Sequence, residues 1–428
     1  MKDIVPPPPA IVRNDVASIK GLFEKNVVPS YARFEIVLSH GVGSHVFDIT
    51  GKRYLDFGGG IAVSALGHAH PAITEALIEQ SKKLVHTSNL YFCEPQGRLA
   101  EKLVNAIGTG KIFFSNSGGE ANEGLFKLAR KFGHDEGRFE ILTAQNSFHG
   151  RTLAGISATG QDKVKKGFEP MVPGFRHVPF NNLEAMRNAI SPATVAIMIE
   201  CVQGEGGITS ATPEYLLGLR KLCDEKKLLL LLDSVQDGHF RTGRCQAFQR
   251  IFENIPGGEN FLPDGISMAK SLGAGFPMGA FWVRQPFADL LSAGSHGSTY
   301  GGGPLACAVA LKVLEVVERE KLGENARFVG EFLKTELLQL SQKFPTVIKT
   351  ARGLGLIIGL ELTEKIPTFA GSEKSHAIQF VNRLHEAGML AIPSGTQVIR
   401  LLPPLNLRHD EAEQGMKIIE TVVQKLVQ

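Results

Sequence analysis

Three segments of the 428-residue sequence put chemistry-bearing side chains at the ends of apolar runs. KKLLLLLDSVQD, Lys226 to Asp237, drives five leucines straight into Asp233. A carboxylate ending a fully buried strand is costly unless a charged group pairs with it. PDGISMAKSLGAGFPMGA, Pro263 to Ala280, sets Lys270 between a short apolar run and Gly273, Gly275 and Gly279. An amine in apolar surroundings has a lowered pKa and attacks carbonyl carbon, and glycines beside it admit a flat ring. KIFFSNSGGEANEGLFKLARKF, Lys111 to Phe132, runs a strand into Ser117, Gly118 and Gly119 and then into a helix. Backbone amides and the positive helix end there suit a phosphate dianion. Each segment also has an ordinary reading: a loop-capping aspartate, a snorkelling lysine, and a Ser117-x-x-Glu120 capping box.

The conjunction is more specific than its members. A pyridoxal phosphate (PLP) enzyme needs a lysine for the Schiff base, a carboxylate to keep the pyridine nitrogen protonated, and amides for the phosphate.

Short apolar runs alternate with helical patterns from about Lys111 to Ser267, which predicts an α/β fold with a parallel sheet. Strands are expected at Lys111–Phe114, Phe139–Thr143, Val195–Ile199, Leu228–Leu232 and Gly265–Met268. Such a sheet binds ligands beyond its carboxyl strand ends, where all three segments fall. Helices at Leu305–Glu320 and Glu324–Gln342, a strand-like Leu354–Leu362 and an amphipathic Asp410–Val427 suggest a second domain. A hairpin at Val46–Phe57, turning at Thr50 and Gly51, opens the chain. The expected division is residues 1–60 packing with the small domain, 61–310 as the large domain and 311–428 as the small one.

Composition excludes several classes. Forty-six basic residues against 43 acidic, without a basic cluster, give no nucleic-acid surface. No apolar stretch reaches the ~20 residues of a membrane span. The five cysteines Cys93, Cys201, Cys223, Cys245 and Cys307 have no metal spacing, and a reduced, cytoplasmic setting is expected. Pro6 to Pro9 read as a polyproline arm rather than an export signal. Forty-seven glycines are an excess; twenty of them fall in short clusters from Gly58–Gly60 to Gly353–Gly359, most of which border the motif segments, and this reads as backbone room for a phosphate and a ring.

The sequence resembles the class III PLP-dependent aminotransferases, and within them the acetylornithine and succinylornithine branch. The resemblance runs from YLDFGGGIAVSALGHAHP (Tyr54 to Pro71) through NSGGEANE (Asn116 to Glu123), FHGRT (Phe148 to Thr152), QGEGG (Gln203 to Gly207), DSVQ (Asp233 to Gln236), the lysine segment and HGSTYGGGPLA (His296 to Ala306). It ends with IRLLPPLNL (Ile399 to Leu407). It implies fold type I, the aspartate-aminotransferase-like α/β fold, with a large mostly parallel-sheet domain and a smaller α+β domain. It implies that Lys270 is the Schiff-base lysine and proton carrier, Asp233 the pyridinium partner, and Gln236 the contact to the ring's phenolic oxygen. Gly118 and Gly119 match the phosphate cradle and Phe148 the aromatic stacked on the ring. Thr299 matches a residue that reaches the neighbouring subunit's cofactor phosphate, which implies a homodimer with shared sites. Arg151 matches a carboxylate-gripping arginine, and Ser298 a substrate contact. Glu205 and Arg400 match a pair in which the glutamate covers the arginine for one substrate and swings away for the other; a static salt bridge uses the same two residues.

The implied activity moves the δ-amino group of N2-acetyl-L-ornithine to 2-oxoglutarate, in arginine biosynthesis, with no metal. Succinylornithine, ornithine and 4-aminobutyrate transamination remain open, as do an aminomutase and a non-catalytic PLP-binding relative. The sequence also departs from the pattern. The usual DEVQTGFGRTG is here DSVQDGHFRTG, so Ser234, Asp237, His239 and Phe240 are replacements. Cys201 stands for a proline and Gly303 for an asparagine. The altered loop is expected to reshape substrate access.

Overall fold

The computed structural model describes residues 15–427, so the polyproline segment at Pro6 to Pro9 lies outside the described residues. Seven strands form the central sheet, in the spatial order Gly110–Ser115, Gly279–Arg284, Gly265–Met268, Leu229–Asp233, Thr194–Ile199, Glu140–Ala144, Phe175–Val178. Leu229–Asp233 is central and buried along its whole length, as a parallel strand covered on both faces must be. It pairs in parallel with Thr194–Ile199 on one side and Gly265–Met268 on the other, in a register that sets Asp233 opposite Ser267.

The five expected strands are present with ends that differ by at most one residue. Two more were not expected. Phe175–Val178 is a short edge strand, and Gly279–Arg284 inserts antiparallel between Gly110–Ser115 and Gly265–Met268. The second reads in sequence as the end of a glycine-rich loop, because Gly275, Pro277 and Gly279 precede its apolar residues.

The helix Gly118–Gly133 buries Ala121, Leu125, Leu128 and Ala129 against the sheet. Gly124 is on that face because a Cβ there would lie 2.1 Å from the Phe281 ring. Ser117 Oγ accepts from Glu120 N–H at 3.2 Å, while the Glu120 carboxylate accepts from Asn116 N–H at 2.6 Å. Ser117 is thus the N-cap in the same turn as the glycine pair, while the Glu120 carboxylate reaches back to the Asn116 amide instead of the Ser117 amide that a capping box would use.

The C-terminal part carries an antiparallel sheet in the order Ile348–Leu354, Ile357–Leu362, Val398–Leu401, Ile392–Ser394. The single strand expected at Leu354–Leu362 is instead the second arm of a hairpin. The chain reverses at Gly355, which has φ +55 and whose Cβ would lie 2.7 Å from Arg241 O. Helices Leu322–Lys343, His376–Glu386 and His409–Val427 pack here, the last burying Met416, Ile419, Val422, Val423 and Leu426. A third sheet joins the hairpin strands His45–Asp48 and Arg53–Asp56 to Met389–Leu390 from the far end of the chain. Among the described residues no helix is long and apolar enough to cross a membrane.

Candidate active site

The carboxyl ends of five strands of the central sheet open on one cavity of about 650 Å³. Gly118 and Gly119 line it after the first of these strands, Phe148 and Arg151 after the second, Asp233 and Gln236 after the central one, and Lys270 after the last. Residues up to 152 positions apart in sequence therefore converge by strand topology alone.

Asp233 is buried, and its two oxygens are fully engaged. Oδ2 lies 2.8 Å from His149 Nδ1 and accepts from Asn122 Nδ2 at 2.8 Å. Oδ1 accepts from Val235 N–H at 3.1 Å and Ser267 Oγ at 3.3 Å. Burial pushes its pKa up, but the hydrogen bonds, led by His149, outweigh burial and hold the carboxyl below its ordinary range. Within the protein, the partners of the buried carboxylate are thus His149 and Asn122, through hydrogen bonds. Neither His149 nor Asn122 was singled out from sequence, though FHGRT contains the first and NSGGEANE the second. Glu200, also missed, ends the next strand. It is pushed well up, by burial first and then by the Asp233 charge, and accepts from Phe148 N–H at 3.1 Å. The two carboxyls are pushed in opposite directions, so Asp233 is the stronger acid of the pair.

Lys270 follows the strand Gly265–Met268 and holds φ +46. Enclosure lowers its amine to about 8, helped by the charge of Arg400 and opposed by Glu205, Asp233 and Glu200. Near neutrality a useful fraction of this amine is unprotonated, as a nucleophile requires. The neighbouring Ser271 Oγ donates to Ala62 O at 2.8 Å and ties the lysine segment to the opposite wall.

At the helix start, Gly118 is a true close approach: a Cβ would lie 2.7 Å from Val235 Cγ1. Gly119 has nothing nearer than 3.9 Å. Their first-turn amides have no carbonyl partner within the helix. The exposed Arg151 guanidinium lies 5.3 Å from the centre of the Phe148 ring, so both belong to one wall. An ionised acid in the depth, an amine of lowered basicity, an aromatic wall and open helix amides together fit a flat, phosphate-bearing ring such as PLP.

Arg400 Nη1 donates to Glu205 Oε1 at 2.5 Å, Gln236 Oε1 at 2.8 Å and Gly204 O at 2.9 Å. Burial opposes ionisation of Glu205, but the Arg400 charge and hydrogen bond hold it below its ordinary range. Arg400 is buried and Glu205 half-buried, and Gln236 connects the pair to the cavity. Ser298 and Thr299 lie outside this cavity. Ser298 Oγ accepts from Asn116 Nδ2 at 3.2 Å and Gly301 N–H at 3.0 Å, so it ties its loop to the strand end; Thr299 is exposed.

The altered loop after Gln236 does not border the cavity, which corrects the expectation that it reshapes access. Asp237, His239 and Arg241 are buried behind it, because the loop is sealed by the C-terminal part. Arg241 Nη1 donates to Leu356 O and Pro403 O, and Leu356 N–H donates to Arg241 O at 2.9 Å. His239 and Phe240 adopt φ +49 and +65, strained for side-chain-bearing residues. Among the described residues no cluster of His, Cys, Asp or Glu suits a metal ion.

The family model for aminotransferase class-III matches residues 27–423. The chain is 42% identical over 412 residues to an acetylornithine aminotransferase of Gloeobacter violaceus, covering 96% of this chain and 98% of that protein. A solved acetylornithine aminotransferase of Elizabethkingia anophelis superposes with a TM-score of 0.82 at 30% identity, over 96% of this chain and 99% of that one. A solved ornithine aminotransferase of Toxoplasma gondii, with PLP at partial occupancy in its active site, gives 0.89 at 30% identity, over 97% and 96%.

Proposed function

The chain belongs to the class-III aminotransferases, and from that premise we propose that it moves the δ-amino group of N2-acetyl-L-ornithine to 2-oxoglutarate, with PLP as cofactor, in arginine biosynthesis. The observation that carries the substrate reading is the buried Arg400–Glu205 contact at 2.5 Å, reached from the cavity through Gln236. Two unlike substrates must use one site. An arginine covered by a carboxylate offers no free cation to the amino donor, and offers a bidentate fork to glutamate's α-carboxylate once uncovered.

Bound PLP would supply an electron sink for charge that develops on the substrate carbon. In this reading Asp233 holds the proton on the ring nitrogen, Gln236 contacts the ring's phenolic oxygen, and Phe148 stacks on the ring. Gly118 and Gly119 hold the phosphate with their amides. The Lys270 amine would bond the cofactor and, when freed, would carry the proton between the substrate carbon and the cofactor carbon. Arg151, at the rim, grips the distal substrate carboxylate, and Ser298 contributes from its loop.

We assign the working unit as a cytoplasmic homodimer in which Thr299 reaches the partner's phosphate. This is supported by the exposure of Leu90, Tyr91, Phe92 and Tyr300. Asn89 Nδ2 binds Ser298 O and Gly301 O, so that apolar strip and the Thr299 loop form one surface. The chain divides into a segment up to residue 60 that goes with the small domain, a large domain at 61–310 and the small domain at 311–428.

A panel of amino donors with 2-oxoglutarate tests the reading. Acetylornithine should have the highest kcat/KM; faster turnover of succinylornithine, ornithine or 4-aminobutyrate would move the chain to another branch. Turnover without added 2-oxoglutarate would indicate an aminomutase.

A further inference from the structure

Behind Asp233 the fold buries a further carboxyl that the proposed reaction does not use. Asp237 Oδ2 accepts from Val202 N–H at 2.8 Å, whereas Oδ1 is buried with no hydrogen-bond partner. An orphaned buried carboxylate oxygen calls for an explanation. The titratable groups that bear on it are acids: Asp233 at the strand end before it, and Glu200 and Cys201 at the end of the neighbouring strand. His239, two residues on, is buried and pushed down to about 4, so it supplies no counter-charge near neutrality. Burial first, then the Asp233 charge, raise the Asp237 carboxyl, and the Val202 amide draws it down; it rests at about 7. Two departures from the family pattern meet here. Asp237 stands for a threonine, and the buried Cys201 for a proline.

We propose that Asp237 is a positioning residue that acts through Asp233: buried behind it with one oxygen unpartnered, its carboxyl sets the charge behind the ring-nitrogen contact, and so how firmly that nitrogen stays protonated. This rests on the assignment of Asp233 to the ring nitrogen. When Asp237 ionises, a second negative charge joins Asp233 in a poorly solvated region, and the protonated form of the bound cofactor is favoured.

The test has two readouts. In the PLP-loaded protein, Asp237→Asn should lower the midpoint of the visible-absorbance titration by about half a unit to one unit, and Asp237→Thr should do the same. In the apoprotein, the sign follows from linkage. An unfolded aspartate ionises near 3.8 and Asp237 near 7. The folded chain therefore binds the extra proton between those values, and its stability falls as pH rises through them. The melting temperature of Asp237→Asn should gain on the wild type from about pH 5 to about pH 8; a merely structural loss would lower it equally at both. Wild-type titration midpoints in both variants would overturn the proposal. If Asp233→Asn binds PLP with unchanged affinity and spectrum, the assignment of Asp233 fails instead and the proposal falls with it.

Discussion

His149 Nδ1 lies 2.8 Å from Asp233 Oδ2 with both side chains buried, so the carboxylate in the depth of the cavity is held by an imidazole rather than by a lysine or arginine. A guanidinium here would neutralise Asp233 permanently. The imidazole that bonds Oδ2 orients the carboxylate.

Removing that donor should show in acid. Asp233 is held below its ordinary range, so its stabilisation is present above about pH 4 and is lost as pH falls through its folded value. His149→Ala weakens the hold, raises the folded value and should cost about 1–3 kcal/mol at neutral pH. Acid unfolding of the apoprotein, followed by circular dichroism, should shift to higher pH in the variant. An unchanged acid limb would mean that Asn122 and Ser267 alone suffice.

Lys270 has the opposite sign. An unfolded lysine keeps its proton to about 10.5 and this one only to about 8. Between those values the unfolded chain binds more protons, so stability rises with pH, and below about 8 the full penalty of enclosing the ammonium applies. Lys270→Met should therefore stabilise the apoprotein at pH 7, by about 1–3 kcal/mol, and the gain should shrink above pH 8. The same variant should lose the borohydride-reducible PLP adduct. A melting temperature that drops at every pH would refute the enclosure argument, and a surviving adduct would place the covalent bond elsewhere.

Glu205 and Arg400 should separate the two half-reactions. Arg400→Gln leaves Glu205 half-buried without its cation and removes the fork for the α-carboxylate. Single-turnover amination of 2-oxoglutarate should fall by roughly a hundredfold, equivalent to ~2.7 kcal/mol, with a smaller fall in the acetylornithine half-reaction. Glu205→Gln should uncover Arg400 and favour glutamate over acetylornithine. Equal losses in both halves would identify the contact as a static bridge.

What could be read from the chain divides along a physical line. The leucine run into Asp233, the Ser117–Glu120 cap and the glycine pair are local, and periodicity and turn chemistry expose them. His149 and Asn122 lie 84 and 111 residues from Asp233, and only strand order brings them together. The antiparallel strand Gly279–Arg284 hid behind its own glycines, and the burial of Asp237 to Arg241 depends on carbonyls of Leu356 and Pro403 far along the chain. The motif resemblance names Gly118, Gly119, Phe148, Arg151, Asp233, Gln236 and Lys270, which line the cavity, but not Asn122, His149 and Glu200, which line it too.

The two glycines of the helix start should respond unequally. A methyl at Gly118 meets Val235 Cγ1 at 2.7 Å, and Val235 packs between the helix start and the strand end that bears Asp233. Relief requires moving either the amides or that strand end, so Gly118→Ala should cost about 1–3 kcal/mol and weaken PLP binding at least tenfold. A methyl at Gly119 finds nothing within 3.9 Å and a helix favours alanine over glycine by up to ~1 kcal/mol. Gly119→Ala should therefore keep or raise apoprotein stability, and any loss of PLP affinity in it reports contact with the phosphate itself. Fluorescence titration with PLP alongside urea unfolding separates the cases. If Gly119→Ala binds PLP as well as the wild type, the phosphate sits nearer Gly118 and Thr152 than the glycine pair implies.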